Sequence, residues 1–315
     1  MNINKKIKLL NLDVSNPLCF DDSKADCGII NGLGQDFSII SKFQNLEEFV
    51  LSYEYPDFGY TGEDIKFCLL EPLNSIKGLK NVIFKDDDNL LETLSEIKVE
   101  NATFINKFTD CSEISRYLIL TDMLNNIKNI EIIGDECSYK NKILKYEIYE
   151  YQIKKLFDCS CENTPGFKNI EELFIKIICS NMDYYNIKQN NNREEFENII
   201  LYCCKQNKHL KKLNINYLTY DLSVLLKILC NYCNVNDTLK NIELTGSAEK
   251  NNINMILDNI LAIKNEKVDI FANILDNDIS TIICNNEHIK KGKLSYENIS
   301  MAFPSNVFVK IIKIK

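Results

Sequence analysis

The side chains best suited to metal or redox chemistry in this chain are its 13 cysteines and two histidines. Cys230 and Cys233 stand at Cys-x-x-Cys spacing, and together with Cys203 and Cys204 they could offer four thiolates to zinc. Helical periodicity gives the same residues another meaning. Cys230 and Cys233 extend the stripe of Leu222, Leu226 and Leu229, and Cys203 extends that of Phe196 and Ile199. Small apolar thiols on such a stripe belong to a core. A redox pair needs the thiolate-favouring N-terminus of a helix, whereas this one falls near a C-terminal end. His209 and His288 have no Cys or carboxylate at ligand or triad spacing and are expected on loops or surface. Gly28, Gly32 and Gly34 lack the Lys-Ser/Thr of a phosphate loop and read as turn residues. Asp86, Asp87 and Asp88 lack the alternating ligands and terminal Glu of a calcium loop. They fit the N-terminus of a helix carrying Leu90, Leu91 and Leu94. The sequence therefore points to no catalytic constellation, no metal and no cofactor, and to a protein that is not an enzyme.

Composition narrows the partners. The formal charge of −8 disfavours nucleic acid and anionic lipid, and Arg116 and Arg193 are the only arginines, too few for a phosphate-reading surface. The N-terminal lysines are followed by an apolar run broken at Asn11 and Asp13, so no secretory core is expected, and no stretch of about 18 apolar residues occurs. An odd number of cysteines without framework spacing fits a reducing compartment. The expected setting is intracellular, and cytoplasmic within it. Frequent Ile, Asn and Lys throughout the chain reads as a compositional bias rather than a functional signal.

What organises the chain is one recurring phrase: apolar, two polar residues, apolar, any residue, apolar. It begins at Ile7, Leu46, Leu79, Ile127, Ile170, Leu210 and Leu239. Its fourth and sixth residues share one side of an extended strand. Between phrases the period becomes helical, with Phe196, Ile199 and Ile200, then Leu222, Leu225, Leu226 and Leu229, then Ile253, Ile256, Leu257 and Ile260. Asp221 and Asn252 are candidate caps for the last two helices. The 48-residue interval after Leu79 suggests a weaker copy starting at Val99. Another places Val268 and Ile270 at the fourth and sixth positions.

These phrases resemble the strand consensus of the leucine-rich repeat family, L-x-x-L-x-L-x-x-N/C-x-L. The 29-residue interval from Leu210 to Leu239 and the helical second half are similar to the intracellular, ribonuclease-inhibitor-like subtype. The resemblance covers about residues 1–275. It implies an α/β leucine-rich-repeat solenoid, a curved parallel sheet with helices on the convex side, forming a single array over 1–315. Residues 1–42 would be an irregular first repeat or cap, 43–275 the repeats, and 276–315 the C-terminal repeat or cap, closed by a strand over Val307 to Ile314. The chain departs from the family at the ninth position, which holds Ser15, Glu54, Asp87, Asp135, Ile178, Leu218 and Ser247 instead of a regular Asn or Cys. Uneven loops and irregular repeats follow from that.

Stacked strands would project their third, fifth and seventh positions from a concave face. The candidate partner-binding residues there are Glu48, Val50, Ile83, Glu131, Glu172, Phe174, Lys176, Lys212, Asn214 and Glu243, with Thr245, Asp269 and Phe271 in the same columns. Mixed charge with embedded apolar groups suits a protein partner. A second candidate is the loop carrying Tyr53, Tyr55, Phe58 and Tyr60 beside Pro56 and Gly59, whose aromatics either plug the gap to the next helix or stand on the rim. The expected function is a non-catalytic protein-interaction scaffold. The alternatives are a regulator of a small GTPase, which some relatives of that fold are, and an adaptor recruiting another complex. The first lacks an arginine on the strands, and the second lacks room for a module ahead of Ile7.

Overall fold

The computed structural model describes residues 7–13, 38–52, 71–85, 96–106, 127–153, 169–178, 194–201, 207–233, 238–263, 268–275, 279–300 and 307–314. The chain is α/β with mostly parallel strands, and it divides into two compact units, Met1–Asn141 and Lys142–Lys315.

In the first unit the phrases become strands β1 (Leu9–Asp13), β2 (Glu48–Ser52), β3 (Asn81–Lys85), β4 (Asn101–Asn106) and β5 (Asn129–Gly134). They lie side by side in that order, parallel, and each pairs the same phrase position with the same position on its neighbour. The fourth positions run Leu10, Phe49, Val82, Ala102 and Ile130. The first, fourth and sixth positions of the interior phrases are buried, as Leu46, Phe49 and Leu51 show, or Leu79, Val82 and Phe84. Burying each such side chain stabilises the fold by about 1.5–3 kcal/mol. A short strand, β6 (Cys137–Lys140), then runs antiparallel to β5.

The second unit repeats the plan. Its parallel strands are β7 (Ile143–Tyr149), β8 (Glu172–Ile178), β9 (Lys212–Asp221), β10 (Asn241–Ser247) and β11 (Asp269–Leu275). Fourth positions again align, through Leu144, Leu173, Leu213, Ile242 and Ile270. The backbone repeats as well. The carbonyl at the second position accepts the next strand's second and third amides, from Lys8 (2.8 and 3.0 Å) through to Lys211 (2.8 and 3.1 Å). First-position carbonyls are met by side chains ahead of the following phrase: Asn207 Nδ2 donates to Ile170 O at 2.5 Å, and Thr238 Oγ1 to Leu210 O at 3.0 Å.

A second layer packs behind these strands. Helix α1 (residues 194–201) buries Phe196, Ile199 and Ile200. Helix α2 (Leu222–Cys233) buries Leu222, Leu225, Leu226 and Leu229 and packs on α3 (Ile253–Ala262) with its Ile253, Ile256, Leu257 and Ile260. Asp221 caps α2, its Oδ1 accepting from Ser223 N at 2.8 Å. Asn252 makes no side-chain cap to α3 and instead donates to Asp221 Oδ2 at 2.8 Å. Short helices α4 (Ser280–Asn285) and α5 (Glu287–Lys290) follow.

The structure departs from the sequence expectation in four places. The strands are not all parallel: β13 (Val307–Lys313) is antiparallel to β11, and β12 (Leu294–Ser300) is antiparallel to β13. The strand over Val307 does not end the row, because its Phe308, Val309 and Ile311 are buried while the more polar β12 takes the outer place. Asn141, at positive φ like Lys142 just ahead of β7, stands three residues before Leu144 where the phrase would hold an apolar residue, so no phrase announces that strand. Ile270 and Ala272, not Val268 and Ile270, occupy the fourth and sixth positions of β11. A two-residue shift keeps every side chain on its face, so alternation alone cannot fix register.

β9 is longer than its neighbours. Thr245 pairs with Asn216, yet Ser247 pairs with Asp221, so β9 bulges between those contacts. Gly246 permits the close approach there. A Cβ would stand 2.7 Å from Tyr220 O and 2.9 Å from Leu222 Cγ.

Candidate functional site

Side chains at the third, fifth and seventh positions point away from the core. On β3, Asn81, Ile83 and Lys85 are half-buried between the buried Val82 and Phe84. In the first unit the third position carries a row of amides. Asn129 Nδ2 donates to Asn101 Oδ1 (2.7 Å), Asn101 Nδ2 to Asn81 Oδ1 (2.7 Å), and Asn81 Nδ2 to Glu48 Oε2 (3.2 Å). Ile83 is half-buried, and Glu131 pairs with Lys140 at 2.8 Å. Val50 corrects the expectation: short, and flanked by Asn11 and Ile83, it is 7% exposed and offers a partner little surface.

The second position carries alternating charge. Glu47 pairs with Lys8 (2.7 Å) and Lys80 (3.4 Å), and Glu100 with Lys128 (3.3 Å). The Lys8 hydrogen bond, then that of Lys80, holds the Glu47 carboxyl below its usual range, and Glu47 in turn raises the Lys8 ammonium. Glu171 does the same work in the second unit, held low chiefly by the Lys211 hydrogen bond and then by Lys142. Such exposed pairs are screened by solvent and contribute little to stability singly. Opposite charges facing each other also penalise a shifted register.

The second unit's outward face centres on Phe174. Lys145, directly across on β7, places Nζ 5.5 Å from the ring centroid, and Lys212 on β9 places its own at 4.9 Å. Around them, Lys176 pairs with Glu147 (2.6 Å), Asn214 Nδ2 donates to Glu243 Oε2 (2.9 Å), and Glu172 is half-buried beside Lys212. Phe271 carries Lys310 at 5.0 Å from its centroid, and Asp269 stands in the third column of that strand. Thr245, expected outward, is buried, and it accepts from the buried Asn273 Nδ2 at 3.1 Å. Where Asn101 has two amide neighbours, Asn241 lies between Lys212 and Asp269, and its Oδ1 has no hydrogen-bond partner among the described residues.

The remaining candidates divide sharply. Cys230 is half-exposed rather than buried, since at about 100° per residue it lies on the margin of the stripe formed by Leu222, Leu225, Leu226 and Leu229. Cys203, Cys204 and the aromatic loop of Tyr53, Tyr55, Phe58 and Tyr60 lie outside the described residues, as do Gly28 to Gly34, Asp86 to Asp88 and both arginines. Among the described residues no group of three or more His, Cys, Asp or Glu is placed to hold a metal ion. His209 is exposed. His288 does have a carboxylate partner: its Nε2 lies 2.9 Å from Asp258 Oδ1, tying α5 to α3 across 30 residues of sequence. Sequence reasoning missed that pair because the separation is about one repeat, not one helical turn.

Among the described residues no helix is long and apolar enough to cross a membrane. No protein-family model and no curated protein matches the chain. Among solved structures, the sialic acid aldolase from Aliivibrio salmonicida aligns at 11% identity over 91% of this chain and 76% of that one, with a TM-score of 0.22. A likeness that slight carries no argument.

Proposed function

We propose that this chain is a non-catalytic, intracellular protein-interaction scaffold, a divergent solenoid of the leucine-rich-repeat type. The observation carrying this reading is the shared register: within each unit, every phrase lays its third, fifth and seventh positions beside those of the next. Side chains thus form columns at about 4.8 Å spacing, a pre-arranged surface on rigid strands that loses little conformational entropy on binding. Helices packed behind the strands of the second unit support the same reading. The intracellular setting rests on the use of cysteine as a core residue, as at Cys137.

The experiment is affinity capture with the wild-type chain and with Glu172, Phe174 and Lys176 changed together to Ala. All three project outward, so the melting temperature should fall by no more than a few degrees while the captured partner is lost. Full retention of the partner by the triple variant would remove this face as the binding surface.

A further inference from the structure

On the second unit's face, two ammonium groups lie against an aromatic ring with no carboxylate of the described residues in ion-pair distance. We propose that this face receives an acidic polypeptide segment that presents carboxylates to Lys145 and Lys212 and an apolar residue to Phe174. The proposal rests on the scaffold reading and names the chemistry of its partner.

Three lysines around β7–β9 have carboxylate partners. Lys142 and Lys211 both pair with Glu171, and Lys176 with Glu147. Lys145 and Lys212 differ. Among the described residues neither has a carboxylate within ion-pair distance, and both are held against Phe174 from the two neighbouring strands. An aromatic face attracts a cation without cancelling its charge, so each ammonium keeps hydrogen-bonding capacity for a partner. The ring also restrains two flexible side chains beforehand, which lowers the entropic cost of ordering them on binding.

The surroundings restrict the ligand further. Glu172 and Glu243 flank the cluster and repel an unbroken anionic chain, while the partly exposed Phe174 between the lysines favours an apolar contact. The matching pattern is acid, apolar, acid. With −8 on the whole chain, diffuse attraction of polyanions is disfavoured, so anion binding requires this local arrangement.

The probe is a fluorescein-labelled peptide of repeated Glu-Leu-Glu-Gly, read by fluorescence anisotropy against its Gln-Leu-Gln-Gly counterpart and an oligothymidylate of equal charge. Wild type should bind the Glu peptide, more weakly as salt rises, and not the Gln peptide. Lys145→Gln with Lys212→Gln should weaken binding about tenfold, consistent with the loss of two partly exposed charge contacts. Lys142→Gln with Lys211→Gln makes the same charge change elsewhere and should stay within about twofold of wild type. Absent Glu-peptide binding, equal binding by the Lys145/Lys212 variant, or equally tight oligothymidylate binding would overturn the proposal. If the acidic peptide fails while the Glu172/Phe174/Lys176 variant still loses its captured partner, only the acidic chemistry falls. If that variant keeps its partner, the scaffold reading falls too.

Discussion

The first and second units build most of their parallel strands from the same phrase in the same register, yet they finish the outward side differently. On the first, Asn81, Asn101 and Asn129 spend their amides on each other and on Glu48, with half-buried Ile83 beside the buried Val50. On the second, the corresponding columns hold Glu172, Lys212 and Phe174, and two ammonium groups turn to a ring rather than to a carboxylate. Polar groups that satisfy one another stabilise the sheet and leave little to offer. Groups left short of partners cost some stability and keep capacity for a ligand. The same architecture can therefore be closed in one place and receptive in another.

The comparison holds only if the two interiors are equivalent. Phe84→Ala and Phe196→Ala, both at fully buried sites, should each cost about 3–5 kcal/mol in denaturant unfolding. A gap between them larger than about 2 kcal/mol would mean that the units differ inside as well as outside. Next in size is Gly246→Ala in the second unit, where the new methyl meets the Tyr220 carbonyl and the Leu222 side chain. A loss of about 1–3 kcal/mol is expected by thermal melting, and an unchanged melting temperature would show that β9 yields easily. The amides sharpen the contrast directly. Asn101→Leu breaks two side-chain bonds and should cost about 1–2 kcal/mol, whereas Asn241→Leu removes a buried acceptor that has no partner among the described residues and should be neutral or stabilising. Equal costs would erase the distinction.

The smallest effect is electrostatic. Glu171 is held below the usual carboxylate range by Lys211 and Lys142. Its contribution is fully present above the unfolded-state value and is lost as pH falls through the lower folded one. Glu171→Gln should therefore cost about 0.2–1 kcal/mol near neutral pH and nothing in acid, measured as melting temperature against pH. Glu47→Gln should follow the same direction in the first unit.

Much of this fold was legible because the buried positions repeat. First, fourth and sixth residues are apolar in nearly every phrase, and the weak copy at Val99 still forms β4. No phrase announces β7, because Asn141 rather than an apolar residue stands three positions before Leu144, and the pattern alone sets β11 two residues early because a shift of two leaves its alternation intact. Alternation separates the buried fourth and sixth positions from the residues between them, with Val50 and Thr245 as buried exceptions, but what lies beside each residue depends on strands roughly a repeat away. That is why the ring contacts of Lys145 and Lys212 and the His288–Asp258 pair could not be read off. In the sequence the asparagines read as compositional bias, and the family's ladder is expected at the ninth position. The structure places one at the third.

That row of amides has a direction, and a single charge sets it. A carboxylate can only accept, so Glu48 obliges Asn81 to turn its nitrogen toward it, which leaves the Asn81 oxygen for Asn101 and the Asn101 oxygen for Asn129. Three side-chain orientations on three strands are thereby dictated from one end. Replacing Glu48 with glutamine, which donates as readily as it accepts, would make the two senses of the row nearly equal in energy and let the whole file reverse together.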